Sequence, residues 1–408
     1  MYLPLANVLH HKFRSLLSAT GIAVGVCMLL TLSGLSRGSL FEIADRWESV
    51  DAELIAYPRL WGENITTMSG IGLSDRYREI FAKSAGDQIQ DVVPVFLWQG
   101  FKLAGQDQVA AGVDADQFAR LTGGRKLLDG TLYRNDTGWD DWMAQLARQR
   151  TATQPTDDGS EAALEITSDD LRQGGFLELV IDSRLARAGH YSVGDHVQAY
   201  NHTWRIAGIV EAGALTRVFM PRRTAQFLFG SGDTSKSTLM FIKLRPGVDA
   251  NVAAAMLHKT GPTVVQVKQY RAMLQNRFAM MLRYVDVVNV IALVIAFLFI
   301  MTTLYTMVLQ RTREIAILKS CGASGAFVVR QVLAESLLLT ALGTSIGIGL
   351  GYASAWGIET FNGLLTVKIG WDWLLIACAA ALCGAVVSAV YPAWRATRVD
   401  MIEALTLE

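Results

Sequence analysis

Residues 285–309 read VDVVNVIALVIAFLFIMTTLYTMVL, a run whose only charged side chain, Asp286, sits at its edge. An α-helix needs about 20 apolar residues to cross ~30 Å of hydrocarbon, and this run has them. Working outward, comparable runs lie at Leu16–Leu35, Val332–Trp356 and Trp371–Val390. One span near the N-terminus and three crowded at the C-terminal end set the expectation of a 1+3 layout, with spans at 16–36, 284–309, 331–356 and 371–390. Between the first two lies a block, 37–283, with the mixed composition of a soluble domain. The fold class expected is therefore an α-helical membrane protein with four transmembrane helices and a large extracytoplasmic α+β domain on helical stalks.

The bulk numbers agree. Hydrophobic residues make up 51% of the 408, and the formal net charge is zero, so no global field argues for nucleic acid. Lys12 and Arg14 before the first run invite a signal-peptide reading. The apolar core is too long for one and Gly34-Leu35-Ser36-Arg37 is a poor cleavage site, so an uncleaved anchor is expected. Orientation follows from the short flanks. Lys12, Arg14, Arg311, Arg313, Lys319, Arg330, Arg395 and Arg398 share one side if the spans alternate, whereas the loop between the last two spans holds Glu359 and Lys368. Both termini are thus expected in the cytoplasm and the large block outside. Cys27, Cys378 and Cys383 fall in spans and Cys321 in a cytoplasmic loop, which leaves the block without disulfides. That suits a multi-pass protein of a bacterial inner membrane facing the periplasm.

Residues 1–15 read either as an amphipathic helix on the cytoplasmic surface or as a ragged extension of the first span. After Leu35 a charged helical pattern continues through Trp47. Its mirror, Val267–Tyr284, carries Tyr270, Met273, Leu274, Phe278, Met281 and Leu282 on one stripe. Neither contains proline, so each is expected to run unbroken into its span as a stalk. Asp91–Leu103, Leu177–Ile181, Val197–Tyr200, Trp204–Val210 and Leu239–Leu244 read as strands; Ser183–Ala188, Arg223–Phe229 and Val248–Lys259 read as helices. Residues 134–170, polar with a tryptophan pair (Trp139, Trp142), read as a flexible insertion.

The 310–330 loop carries the most specific signal: Arg311-Thr312-Arg313-Glu314-Ile315-Ala316-Ile317-Leu318-Lys319-Ser320-Cys321-Gly322-Ala323-Ser324. Its start is too polar for hydrocarbon and its middle too apolar for a free linker, which suggests a short helix docking on another protein and ended by Gly322. Here the chain resembles the permeases of the MacB/FtsX/lipoprotein-releasing group of ABC transporters, the type VII or mechanotransmission class. The resemblance continues through Gln331, Glu335, Ser336 and Leu337, the glycines Gly343, Gly347 and Gly351, and the 391–408 tail. There Tyr391-Pro392-Ala393-Trp394-Arg395-Ala396 and Ile402-Glu403-Ala404-Leu405 match the family, while Met401 and Thr406 depart from it. An FtsX-like permease domain is expected over 284–405 and a MacB-like periplasmic core domain over 37–283. The resemblance implies that the loop is a coupling helix for a separate cytoplasmic ATPase dimer, which would hold ATP and Mg. Arg313, Glu314, Ile315, Ile317, Leu318, Lys319 and Gly322 would be its contacts.

Other chemistry is weak. No Gly-Lys dipeptide occurs, so there is no phosphate-cradling Walker loop, and Gly230–Ser237 reads as a surface turn. Gly343-Thr344-Ser345-Ile346-Gly347 mimics a nucleophile elbow but lies in a span, where glycines every fourth residue point to helix packing. His190, His196 and His202 are spaced by six, which suits strand ends better than a metal site. No catalytic residue, bound cofactor or metal ligand is expected. Glu335, in the third span, is open to either a functional or a structural pairing role. Asp286 and Asn289 are expected at a water-reached interface as anchors, and Trp356, Trp371, Trp373, Tyr391 and Trp394 in aromatic belts.

The functional expectation is a non-catalytic permease subunit that couples a partner's ATP hydrolysis to movement of the periplasmic domain. It would export or extract a hydrophobic or amphipathic substrate such as a lipid, lipoprotein, peptide or drug. The alternative is an FtsX-like signalling scaffold acting on a periplasmic partner such as a cell-wall hydrolase. Partners on either reading are the ATPase dimer, a second permease copy or homologue and the bilayer, with a periplasmic adaptor left open.

Overall fold

The computed structural model describes residues 12–59, 72–134, 138–153, 166–310, 317, 320 and 322–397. The chain divides into two compact units, Met1–Leu40 with Phe278–Glu408, and Phe41–Arg277. Helix α1 (Lys12–Glu48) contributes to both.

In the Phe41–Arg277 unit, β1 (Leu54–Tyr57), β2 (Leu73–Ser74), α2 (Tyr77–Ala85) and β3 (Ile89–Leu103) come first, followed by β4 (Gln106–Val113), α3 (Phe118–Leu121) and β5 (Leu127–Gly130). Next come α4 (Trp139–Thr153), α5 (Ser168–Gln173), β6 (Glu178–Asp182), α6 (Ser183–Gly189), β7 (His196–Ala199) and β8 (His202–Val210). The unit ends with β9 (Val218–Pro221), α7 (Arg222–Phe229), β10 (Lys236–Ser237), β11 (Leu239–Leu244), α8 (Ala250–His258), β12 (Thr263–Gln266) and α9 (Tyr270–Arg277).

The main sheet runs β12-β1-β11-β3-β4-β9-β6-β8-β5, with β7 on β8. Its first four strands are all antiparallel and come from β1-α2-β3 and β11-α8-β12, the split βαβ arrangement. Everything between β3 and β11 is therefore an insertion into one hairpin of that unit. β3 serves both parts: its first half pairs with β11 and its second with β4. A register shift between Trp98 and Phe101, with Gly100 at φ +82°, bends the strand where it passes from one to the other.

Phe81 of α2 and Ala253 and Leu257 of α8 cover one face of the split βαβ sheet, over Leu54, Met240, Ile242 and Val264. On the other, Trp47 of α1 packs on Phe241 of β11 and stacks on Tyr270 of α9, with ring centroids 4.3 Å apart. Covered on both sides, β1 is Leu-Ile-Ala-Tyr with every residue buried. The described parts of the 134–170 segment are docked: Trp139 and Trp142 each stand 4.8 Å from the Phe176 ring, and Arg134 donates to the Gly174 carbonyl at 2.9 Å.

The other unit joins α1 to α10 (Ala279–Gln310), α11 (Gly325–Phe361) and α12 (Trp371–Thr397). These are four helices long and apolar enough to cross a membrane. Polar side chains tie them in a ring: Asn289 of α10 to Ser33 of α1 at 2.8 Å, and Thr31 of α1 to Ser354 of α11 at 2.7 Å. Ser336 of α11 donates to Ala385 O of α12, and Ser388 of α12 to Phe297 O of α10, each at 3.0 Å. Each gives a polar atom in an apolar surround a partner on the neighbouring helix.

Three expectations are corrected. The second stalk does not run unbroken into its span, because α9 ends at Arg277 and α10 starts at Ala279 across a turn at Phe278. The apolar stripe fails at the same place: Tyr270 and Leu274 are buried, whereas Met281 is exposed. α9 has a core to face and α10 here does not, so one register cannot satisfy both. Finally, Asn289 is buried against Ser33, not reached by water.

Candidate functional site

No groups of three or more metal-ligating side chains are found among the described residues. His190 ends α6 at φ +53°, and His196 and His202 open β7 and β8. The residues singled out in the sequence, and the contacts around them, lie at three places along the long apolar helices and the end of α1.

The first is the turn between α10 and α11. Arg313, Glu314, Ile315, Leu318 and Lys319 lie outside the described residues. Ile317 is helical and 47% exposed, and Ser320 Oγ donates to its carbonyl at 2.8 Å. Gly322 follows at φ +93°, where a side chain would be strained, and the Ser324 side chain then caps α11 by accepting from Phe327 N at 3.3 Å. Gly322 and the Ser324 cap thus set where α11 begins, with Ile317 exposed ahead of them.

The second is the contact of α11 with α1. A Cβ on Gly343 would fall 2.9 Å from Ala19 O and 2.7 Å from Ile22 Cβ. On Gly347 it would fall 2.8 Å from Ala23 O, and on Gly351 3.4 Å from Leu30. Helix backbones approach this closely only when side chains are missing. Glu335 is 4% exposed on the same helix, and Asp286 is exposed on α10. Gly384 of α12 makes a similar seat for the Phe297 ring of α10, a residue the sequence did not single out.

The third is where α1 ends inside the Phe41–Arg277 unit. Glu42 accepts from Arg46 at 2.8 Å and Arg217 at 3.1 Å, with Arg184 at 3.3 Å. Asp182, fully buried, faces Arg46 at 3.2 Å and Arg217 at 3.9 Å while capping α6 through Leu185 N. Burial, then the neighbouring Arg46, lowers the Arg217 pKa; Glu42 and Asp182 offset this. On the other side, Arg271 of α9 donates to Glu48 at 2.9 Å and Asp45 at 2.7 Å, and these bonds raise its pKa. About two turns of α1, from Glu42 to Glu48, are thereby fastened on two faces. A further clamp joins the split βαβ part to the insertion: Arg222 of α7 holds Asp114 at 3.0 Å and Asp75 at 2.6 Å. Burial opposes its charge, but the two carboxylates outweigh this and raise its pKa.

Apart from Glu42–Arg46, an i,i+4 pair on one helix, these pairs were not legible in the sequence, because the partners are as far as 226 residues apart, as in Arg271 to Asp45. What signal existed was local: the 311–324 string and the every-fourth-residue glycines.

Comparisons with known proteins converge on one group. The FtsX-like permease C-terminal model matches residues 287–401, and the MacB-like periplasmic core domain model matches residues 15–260. An uncharacterized ABC transporter permease, YknZ of Bacillus subtilis (strain 168), is 29% identical over 206 residues, covering 48% of this chain and 50% of the relative. The pyoverdine export ATP-binding/permease protein PvdT of Pseudomonas entomophila (strain L48) is 24% identical over 416 residues, covering 98% of this chain and 58% of the relative. The periplasmic region of MacB from Actinobacillus actinomycetemcomitans covers 56% of this chain and 95% of that one, at 15% identity and a TM-score of 0.36. The chain spans about half the length of the curated relatives it matches.

Proposed function

The chain belongs to the MacB/FtsX family of ABC transporter permeases, and from that premise we propose that it works as a lever for a separate ATPase. Closure of a cytoplasmic ATPase dimer, which binds ATP and Mg, moves the 310–330 loop. The displacement passes through α11 to α1, and α1 carries it into the extracytoplasmic domain. The work done there is export or extraction of a hydrophobic or amphipathic substrate, in an assembly of two permease copies in the bacterial inner membrane. Both termini face the cytoplasm, as the Lys and Arg bias of the short flanks supports. The FtsX-like signalling alternative has no specific observation in its favour.

The observation that carries this reading is the α10–α11 turn, where an exposed isoleucine stands beside a left-handed glycine in a segment rich in Arg and Lys. An apolar side chain held out in this way fits a helix-in-groove contact. The unbroken α1, from Lys12 to Glu48, supports the transmission step. Burying an isoleucine contributes about 1.5–3 kcal/mol, so Ile317→Asp should weaken ATPase binding about 10- to 100-fold. Co-purification of the ATPase with detergent-solubilised permease measures this, and undiminished binding by Ile317→Asp would contradict the assigned role.

A further inference from the structure

Two glycines of α1, Gly34 and Gly38, lie one helical turn apart and outside the Gly343–Gly351 contact. Glycine weakens a helix relative to alanine, so a pair at this spacing needs a reason in whatever approaches it. What approaches is irregular chain, the segment 364–369 between α11 and α12. Lys368 N–H donates to the Gly34 carbonyl at 3.1 Å. A Cβ on Gly38 would stand 2.5 Å from Thr366 O and 2.7 Å from Lys368 N. On Gly34 it would stand 3.1 Å from Val367 Cγ1. The obstacles at Gly38 are backbone atoms, which cannot swing aside as a side chain can.

The segment is itself held. Val367 N–H donates to Glu359 at the end of α11 at 3.1 Å, and Leu364, Thr366 and Val367 are buried. Arg37, between the two glycines, lies 4.5 Å from the centre of the Trp373 ring in the first turn of α12. The α11–α12 hairpin therefore grips α1 twice, laterally through Gly343, Gly347 and Gly351 and at its far end through residues 366–368.

We propose that this second grip is the joint that makes the hairpin and α1 move as one body, with Gly34 and Gly38 as its positioning residues. The proposal rests on the lever reading above. A contact of backbone on backbone has no rotamers to relax, so a shift of α11 reaches α1 beyond the bundle without lost motion. A side chain at Gly38 would lift the segment off and leave α1 held only from the side.

The test uses the full chain with its ATPase, with Cys27, Cys321, Cys378 and Cys383 replaced by alanine, reading the ATP-dependent change in hydrogen exchange across residues 41–277. If the parent shows no such change, the lever reading itself fails. If it does, Gly38→Val should retain the bound ATPase and lose the change; a full response by this variant overturns the joint. Because Gly38→Val could disturb folding, a second variant pairs Gly34→Cys with Val367→Cys, chosen because a Cβ on Gly34 stands 3.1 Å from Val367 Cγ1. A joint that stays closed predicts that the oxidised protein responds to ATP as the reduced one does. Loss of response on oxidation alone would show that the seat must open, and would overturn the proposal.

Discussion

Asp182 shows how much of this protein rests on single side chains. It is fully buried, faces Arg46 and Arg217, and caps α6. Removing one member of a buried ion pair strands the other and costs about 3–5 kcal/mol. Asp182→Ala should therefore lower the stability of the Phe41–Arg277 unit by that order, seen as a lower unfolding temperature and faster proteolysis there. His202 makes a separate prediction. Burial lowers its pKa below the usual ~6.5 while Ser168 Oγ contacts its Nδ1 at 2.7 Å. The folded state then binds fewer protons than the unfolded one, so this contribution is present above about pH 6.5 and lost as pH falls through the folded value. The drop in unfolding temperature between pH 7.5 and 5.5 should be smaller in His202→Gln than in the parent. At this scale the sequence was legible only where neighbours along the chain carry the meaning, as at Gly322, whose φ of +93° fits the expected stop. Gly34, Gly38 and Gly384 were not, because a glycine in an apolar run reads alike whether it faces lipid, a ring or a passing backbone.

At the scale of elements, strand or helix type was readable where a run was long or strictly periodic. β3, β8 and β11 and the four spans all announced themselves, and Asp249 marks the start of α8 as its cap. β1 and β9 did not. Each is four residues with every one buried, so neither alternates, and β1 follows directly on a helical stalk pattern. The insertion into the β3–β11 hairpin was equally hidden, since pairing between strands more than a hundred residues apart leaves no local trace. Helix packing permits a sharp prediction. Gly347→Leu would drive a side chain into the α1 backbone at Ala23, where overpacking costs about 1–3 kcal/mol or more. The variant should show α1 cross-linking to α11 less efficiently through cysteines placed at Thr31 and Ser354, whose hydroxyl oxygens now sit 2.7 Å apart.

At the scale of the whole molecule, the proposed lever has two ends. At one, the proposed ATPase contact holds the exposed Ile317; at the other, α1 is fastened into a domain by Glu42, Arg46, Asp182 and Arg271. The family was legible from the 311–324 string and the tail. Between the ends, Gly343, Gly347 and Gly351 were legible as packing positions, while the rest was not, because it consists of contacts rather than motifs. The claim on which everything turns is that these ends lie on opposite sides of the bilayer. Its most direct test is reaction with a membrane-impermeant thiol reagent in intact cells, again with the four native cysteines replaced. Asp107→Cys, exposed beside the β3–β4 turn, should label at once, and Ser320→Cys only after the membrane is permeabilised. Labelling of Ser320→Cys in intact cells with Asp107→Cys protected would contradict the account.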